Sequence, residues 1–524
     1  MKHKRLLFLI SSMAMSLALS SCDIYSILGI STYDDETPAV TRIVNGDEVN
    51  DDAVASYTPS SDGVYSPTSV LPYSYREMSL TSGADLVIPT GDVTILVLPI
   101  EFSDYSFSST IKSDLNIALN GNSTDQTTGY WESLASFYNK TSFGKLNLSF
   151  EIADIYKATL TAQEAAAEND SAVAMVKRAV SHYKANQSAT HLDKDKNGLI
   201  DGVIAVYSCP NYSNSSAISR FDKEGYFWAY CYWNVASVPL VSSPDFNVYF
   251  WLSYDFLYNK YKQIDAHTMI HEFGHMLGLD DYYPNDKSAN AFYPLGLLDM
   301  MDGNILDHNV FSKAALGWLV PKVVDGTKTI TLKPSQENGD CILIPSGQWN
   351  GSMWSEYIMV ELYTPDGLNK LDASKAYDNR PIGFTRPGIK IYHVDARVVS
   401  GSIASGEKDY SYAYHNGTTL SPINERTRFR YYRIGASNCY KDSNIVPEAY
   451  SLIHLLESSG RVTFKTSKYA TDSSLFHAGD TFSMSKFSSC FPRSTTLNCG
   501  AEFPYTIKVD SLSDSSATLT ITKA

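Results

Sequence analysis

The sequence predicts a mixed α/β domain followed by a β-rich, sandwich-like region. Three observations predict it. Between about residues 86 and 322, continuous apolar runs of strand length alternate with stretches whose apolar residues recur every three to four positions. Beyond about residue 323 the helical period fades, and short strand-like runs alternate with turn-rich stretches. The chain has 524 residues, 44% of them hydrophobic and 19% charged. That is enough to bury a large core over roughly two to four domains, and it fits wholesale disorder, a collagen-like fibre or a polytopic membrane protein poorly.

The N-terminus reads as an export signal. Lys2, Lys4 and Arg5 precede an apolar stretch from Leu6 to Leu19 that is too short to span a bilayer. The ending Leu19-Ser20-Ser21-Cys22 resembles the bacterial lipobox. Residues 1–21 are therefore expected to be a signal peptide, with Cys22 left as a lipid-carrying N-terminus that tethers the protein at the outer face of a bacterial envelope. Residues 22–85 are rich in Ser, Thr, Asp, Pro, Gly and Tyr and keep no helical or strand period, as a flexible spacer or a short pro-segment would. Six further cysteines, Cys209, Cys231, Cys341, Cys439, Cys490 and Cys499, permit three disulfides in an exported chain or remain as buried thiols.

The α/β domain is expected over residues 86–322. Val93 to Leu98 (VTILVL) is a buried strand leading into the polar turn Phe102-Ser103-Asp104. Tyr130, Leu134, Phe137 and Tyr138 have helical spacing, and after a turn at Gly144 the residues Leu146, Leu148, Phe150 and Ile152 alternate as a half-buried strand does. A second helix is expected from Ala162 to Tyr183, with Val173, Val176, Val180 and Tyr183 on one face, and then a buried strand from Val203 to Tyr207.

Between these two elements lies Asp193-Lys194-Asp195-Lys196-Asn197-Gly198-Leu199-Ile200-Asp201. It matches the start of a calcium-binding loop: oxygen donors Asp193, Asp195, Asn197 and Asp201 at positions 1, 3, 5 and 9, glycine at 6, and the Leu199 carbonyl at 7. Position 12 is Ile204 where such a loop has a bidentate Glu, so another part of the chain would supply a further carboxylate or the affinity would be low. A plain acidic turn is the alternative. A Ca²⁺ ion here would brace the strand that follows.

The segment that carries chemistry is His271-Glu272-Phe273-Gly274-His275. Two histidines four apart on a helix project from one face and can bind one Zn²⁺ together. Met269, Phe273, Met276 and Leu277 form a core-facing stripe, which leaves His271 and His275 on another face. Glu272 is expected to move protons between water and the leaving amine, not to bind metal. Gly278 and Asp281 extend the motif to HExxHxxGxxD, in which the glycine ends the helix and lets the tenth residue after the first histidine reach the metal. Asp281 is the expected third ligand. The alternative has Asp281 or Asp280 orienting a histidine while Glu361 closes the site. His267, one turn earlier, is expected in the core or behind a ligand.

Gly296-Leu297-Leu298-Asp299-Met300-Met301-Asp302-Gly303, about twenty residues on, looks like the methionine turn of the metzincins, with Met301 beneath the metal. Tyr282, Tyr283 and His308 carry groups able to assist a tetrahedral intermediate, and nothing in the sequence chooses among them. The region 323–524 then supplies strand-like runs at Thr329 to Leu332, Ile342 to Pro345, Tyr357 to Glu361, Ile389 to Val394, Thr506 to Val509 and Ala517 to Thr522.

These pieces together resemble the immune inhibitor A family of secreted bacterial metallopeptidases. The resemblance rests on Ile100-Glu101-Phe102-Ser103-Asp104, Phe137-Tyr138 with Ser142-Phe143-Gly144-Lys145, HEFGHMLGLDDYY from His271 to Tyr283, the methionine turn, and Ser312-Lys313-Ala314-Ala315-Leu316-Gly317-Trp318. EYIMVEL from Glu356 and GIKIYHVD from Gly388 are similar to the family's β-rich continuation. The resemblance implies a zincin (metzincin-like) α/β catalytic domain and extracellular proteolysis of protein or peptide substrates. The spacer differs from a long pro-region.

No phosphate-binding loop, GxSxG or redox CxxC competes with this reading. Lys+Arg 42 against Asp+Glu 57 gives −15, and without the N-terminal Lys2, Lys4 and Arg5 the balance of 39 against 57 is −18, which excludes nucleic acid as an expected partner. The rival readings are an inactive surface adhesin on the same scaffold, against which the intact Glu272 argues, and a metal-capturing lipoprotein, which would need a saturated cage.

Overall fold

The computed structural model describes residues 42–44, 47–49, 64–65 and 74–524, except 81, 122–130, 169–170, 223–224, 235–238, 287, 350, 403–409, 413–429 and 441–445. The expected signal peptide, Cys22 and Tyr130 lie outside the described residues.

The central sheet has six strands: β1 (Gly91–Glu101), β2 (Leu146–Ile152), β3 (Tyr156–Lys157), β4 (Val203–Tyr207), β5 (Tyr230–Trp233) and β6 (Val248–Ser253). Their order is β2-β1-β4-β6-β5, with β3 beside the end of β1. All pairs are parallel except β6 with the edge strand β5. Because successive side chains point to opposite faces, each inner strand feeds two cores. Val93, Ile95 and Val97 of β1 enter one core with Ile204, Val206, Phe250 and Leu252. Leu96, Leu98 and Ile100 enter the other with Val203, Ala205, Tyr249 and Trp251. Strands covered on both faces read as unbroken apolar runs, which is the VTILVL signature.

Helices cover both faces. α1 (Leu134–Thr141) and α4 (His267–Met276) pack in the first core; α2 (Ala162–Ala166) and α3 (Ser171–Asn186) pack in the second. The sequence period suggested one helix where the chain forms α2 and α3. Thr161 and Glu164 make a capping box that starts α2, and the residue types at 169–171, Asn, Asp and Ser, are ones that favour a fresh helix start over a continuous helix.

Besides a three-stranded sheet of Val398–Ser402, Tyr410–Tyr412 and Arg430–Ile434, two larger sheets build the region after 323. One runs Ile453–Leu455, Gly388–Asp395, Glu356–Tyr363, Cys341–Pro345, Lys322–Val324 and Val64–Tyr65 in spatial order. The other runs Lys328–Leu332, Ala517–Lys523, Tyr505–Leu512 and Thr481–Ser483. Ile342, Ile344, Ile358, Val360, Ile389 and Ile391 meet Phe482, Ile507, Val509, Leu519 and Ile521 in one core, so the two sheets sandwich it. The alternate residues Leu343, Tyr357, Met359, Tyr392 and Val394 point the other way, into the core that contains α4. The β-rich region and the α/β region therefore share a core, with a strand of residues 64–65 paired antiparallel to Val323 and Val324.

Within the stretch expected as spacer or pro-segment, the helix Tyr75–Leu80 also joins this core through Tyr75 and Met78, and the Tyr75 ring meets Trp354 edge-on at 5.0 Å. The six cysteines after Cys22 are all free thiols, four of them buried. Among the described residues no helix is long and apolar enough to cross a membrane.

Candidate metal centre

The helix α4 is held at its start by Asp265, whose Oδ1 accepts from the His267 backbone N–H at 2.9 Å and pairs with His267 Nδ1 at 2.8 Å. Met269, Phe273, Met276 and Leu277 are buried in the core, as the spacing predicted, and Ile270 is buried with them. His271 and His275 share the face toward the residues that follow the helix, their rings edge to face at 4.8 Å.

Both imidazoles are oriented from behind. His271 Nδ1 donates to the Met300 carbonyl at 3.0 Å, and His275 Nδ1 donates to the Leu279 carbonyl at 2.8 Å. A hydrogen on each Nδ1 leaves each Nε2 lone pair for a metal. The two Nε2 atoms converge on Asp281 Oδ1, at 3.1 Å from His271 and 3.2 Å from His275. His271, His275 and Asp281 thus form a group able to hold one ion, its ligand atoms within 4.8 Å of one another.

Asp281 arrives there because the helix ends in a Schellman turn. Gly278 N–H bonds the His275 carbonyl at 2.9 Å and Leu279 N–H bonds the Gly274 carbonyl at 3.0 Å. Gly278 has φ +103°, and a β-carbon on it would lie 2.6 Å from Tyr75 Cβ, so both conformation and space require glycine. The methionine turn then pins the segment: Tyr282 N–H donates to the Met301 carbonyl at 2.8 Å. Met301 itself is fully buried under α4.

The electrostatics suit a cation. Burial opposes charge on Asp281, yet the imidazoles of His275 and His271 hold its carboxyl well below the usual carboxylate range. Burial likewise opposes charge on His275, but Asp281 and Glu272 outweigh it and raise the imidazole to about 10. The cluster retains protons at the point where a dication would replace them. Glu272 is buried, its Oε2 has no hydrogen-bond partner, and burial raises its carboxyl above the ordinary value. A donor set of two imidazole nitrogens and one carboxylate oxygen fits Zn²⁺, which in catalytic sites takes water as its fourth ligand.

No family model and no curated protein matches the chain.

The calcium-type loop is brought together in part. Asp193, Asp195 and Asp201 form a second group able to hold an ion. Lys196 and Gly198 take left-handed backbone, which wraps the loop so that Asp193 accepts from the N–H groups of Asn197 and Gly198. Asn197 turns its side-chain amide to Asp85 at 2.5 Å, and Leu199 lies in a two-residue strand paired with Asp245 and Phe246. Burial and the neighbouring Asp195 and Asp193 raise the Asp201 carboxyl to about 7, against the Lys194 N–H that lowers it. Oxygen donors under this mutual repulsion suit a hard cation such as Ca²⁺. Ile204 is a core residue of β4.

Several residues at these sites escaped the sequence reading. Arg76 bridges Asp85 (2.6 Å) and Asp195 (2.5 Å), joining the helix Tyr75–Leu80 to the acidic loop. From the β-rich region, Ser437 Oγ bonds Asp280 Oδ2 at 2.5 Å, and Cys439 Sγ lies 3.8 Å from Asp281 Oδ2. Arg76 is 119 residues from Asp195, Ser437 is 157 from Asp280 and Cys439 is 158 from Asp281, beyond any local pattern. Glu361 is placed elsewhere: it bonds Ser335 and Tyr392 inside the second sheet.

Proposed function

We propose that this chain is an extracellular, membrane-anchored zinc-dependent endopeptidase of zincin (metzincin-like) type. The observation that carries the reading is the convergence of His271 Nε2, His275 Nε2 and Asp281 Oδ1 beside the buried carboxylate of Glu272, whose Oε2 has no hydrogen-bond partner. These three side chains would hold the zinc ion. Bound there, zinc supplies Lewis acidity that acidifies water and polarises a carbonyl.

Glu272 follows His271 on the same turn, with its Oε2 free to accept a proton and its carboxyl raised above the ordinary value by burial. It takes the proton from the attacking water and delivers it to the departing amine nitrogen, as general base and then general acid. The Met300 and Leu279 carbonyls and the Met301 turn keep the ligands in place, so little reorganisation accompanies reaction. β5 is an edge strand beside α4, and an extended peptide can add to such an edge through its main chain, which favours protein or peptide substrates. The basic start, apolar stretch and Cys22 support export and lipid anchoring. The loop at 193–201, with Ca²⁺, is a structural brace in this reading.

The test is zinc content together with cleavage of casein, with and without chelator, by the chain lacking residues 1–22. One zinc per chain with chelator-sensitive cleavage supports the reading. Zinc without cleavage points to a binding scaffold or to latency, and absence of zinc removes the site.

A further inference from the structure

As water adds to a peptide carbonyl, negative charge grows on the carbonyl oxygen, and a hydrogen-bond donor aimed there lowers the barrier beyond what a metal does. Tyr282, Tyr283 and His308 stood level in the sequence. The structure separates them. Tyr282 is fully buried and shares its hydroxyl hydrogen bond with Ser312 Oγ at 2.7 Å. His308 is 3% exposed, enclosed by the rings of Phe137, Tyr138 and Trp318, and burial with the nearby Lys313 holds it well below the ordinary imidazole range. Neither can reach a substrate.

Tyr283 is placed differently. The chain on its N-terminal side is tied to the core by Tyr282 N–H on the Met301 carbonyl, and Asn438 Nδ2 donates to the Tyr282 carbonyl at 3.1 Å. With Tyr282 turned inward, the half-buried Tyr283 stands toward the ligands, its ring nearly parallel to that of His271 (19°, centroids 6.2 Å apart). Its hydroxyl is hydrogen-bonded to Asp281.

The geometry points to Tyr283 as a catalytic residue that donates its O–H to the carbonyl oxygen of the scissile bond as that oxygen gains charge. The inference rests on the endopeptidase reading. In the free enzyme the hydroxyl rests on Asp281; in the reacting complex it turns to the substrate oxygen. The O–H bond is not broken, and proton transfer remains with Glu272.

Tyr283→Phe removes the hydroxyl and keeps the ring. In the zinc-loaded full chain, kcat for an unstructured peptide is expected to fall about 10²-fold, with KM within about twofold. Affinity for a peptide phosphonate, whose tetrahedral oxygens imitate the reacting centre, falls by a similar factor, while zinc content and Tm stay as in wild type. Tyr440→Phe, at the 63% exposed tyrosine near the same carboxylates, leaves all five quantities unchanged. The inference is overturned by full activity and phosphonate affinity in Tyr283→Phe, by transfer of the loss to Tyr440→Phe, or by loss of zinc from Tyr283→Phe, which would make the residue a support for Asp281. A zinc-loaded wild type that cleaves nothing defeats the peptidase reading by itself. The phosphonate titration then decides alone, with equal affinities removing Tyr283 and weaker binding by the variant retaining it.

Discussion

A β-carbon on Gly274 would lie 2.5 Å from Met301 Sδ and 3.1 Å from its Cε. The methionine turn therefore closes against bare backbone of α4 at Gly274, the residue just before His275. That contact sets the height of the carbonyl of Met300, which orients His271, and of Met301, which anchors Tyr282. Gly274→Ala should destabilise the fold by about 1–3 kcal/mol, because Met301 is fully buried and has little room to move. It should also weaken zinc binding about tenfold or more, since the orienting carbonyls move with the turn. Thermal unfolding and a competitive zinc titration check both.

Glu272→Gln keeps the volume of the side chain and removes the proton acceptor. The variant should bind zinc as wild type does, because Glu272 is outside the ligand group. Its kcat should fall about 10²- to 10⁴-fold. Peptide hydrolysis at the wild-type rate by a metal-loaded Glu272→Gln protein would falsify the proposed role.

His267 lies between the rings of Trp131 and Tyr377, at 4.2 and 4.1 Å, with Asp265 on Nδ1 and Asp372 Oδ1 3.5 Å from Nε2. Burial disfavours its charge, but the two aspartates outweigh that and raise the pKa to about 9 from 6.5. A raised pKa means that the folded state binds the proton more tightly than the unfolded chain. The stabilisation is complete below pH 6.5 and is lost as pH climbs through 9. The difference is on the order of 3 kcal/mol. Urea unfolding of wild type and His267→Gln from pH 6 to 10 should show the wild type losing that advantage; parallel curves would remove the assignment.

Calcium at the loop would relieve the repulsion among Asp193, Asp195 and Asp201. At a concentration about a hundredfold above Kd it should add about 2.7 kcal/mol of stability. Asp193→Asn should abolish the calcium-dependent rise in Tm and leave casein cleavage by the zinc-loaded protein intact at low temperature. A wild type whose Tm ignores calcium would leave the loop as a plain turn held by Arg76.

The local elements were legible because their signals are local. VTILVL in β1, the i and i+4 placement of His271 and His275, and Gly278 at the helix end all act within a few residues. The same holds for the strands after 323, whose residues alternate between two cores. What they pack against was not legible. Glu356–Tyr363 and Gly388–Asp395 are buried along their whole lengths because one face meets the sandwich partner and the other meets the core of α4. A sequence records that both faces are apolar, not which element covers each.

The same division runs through the site. By itself the sequence determined the helix that carries the two histidines, the glutamate beside them and the glycine turn that returns the chain, since helical periodicity and backbone conformation are properties of neighbouring residues. Only the tertiary structure decided that Asp281 Oδ1 meets both imidazoles and that Tyr283 faces the ligands while Tyr282 does not. It also decided that Arg76, Ser437 and Cys439 come from distant stretches to flank the two acidic groups. Those contacts depend on where cores and sheets bring remote segments together, and burial energy, which carries no sequence address, selects them.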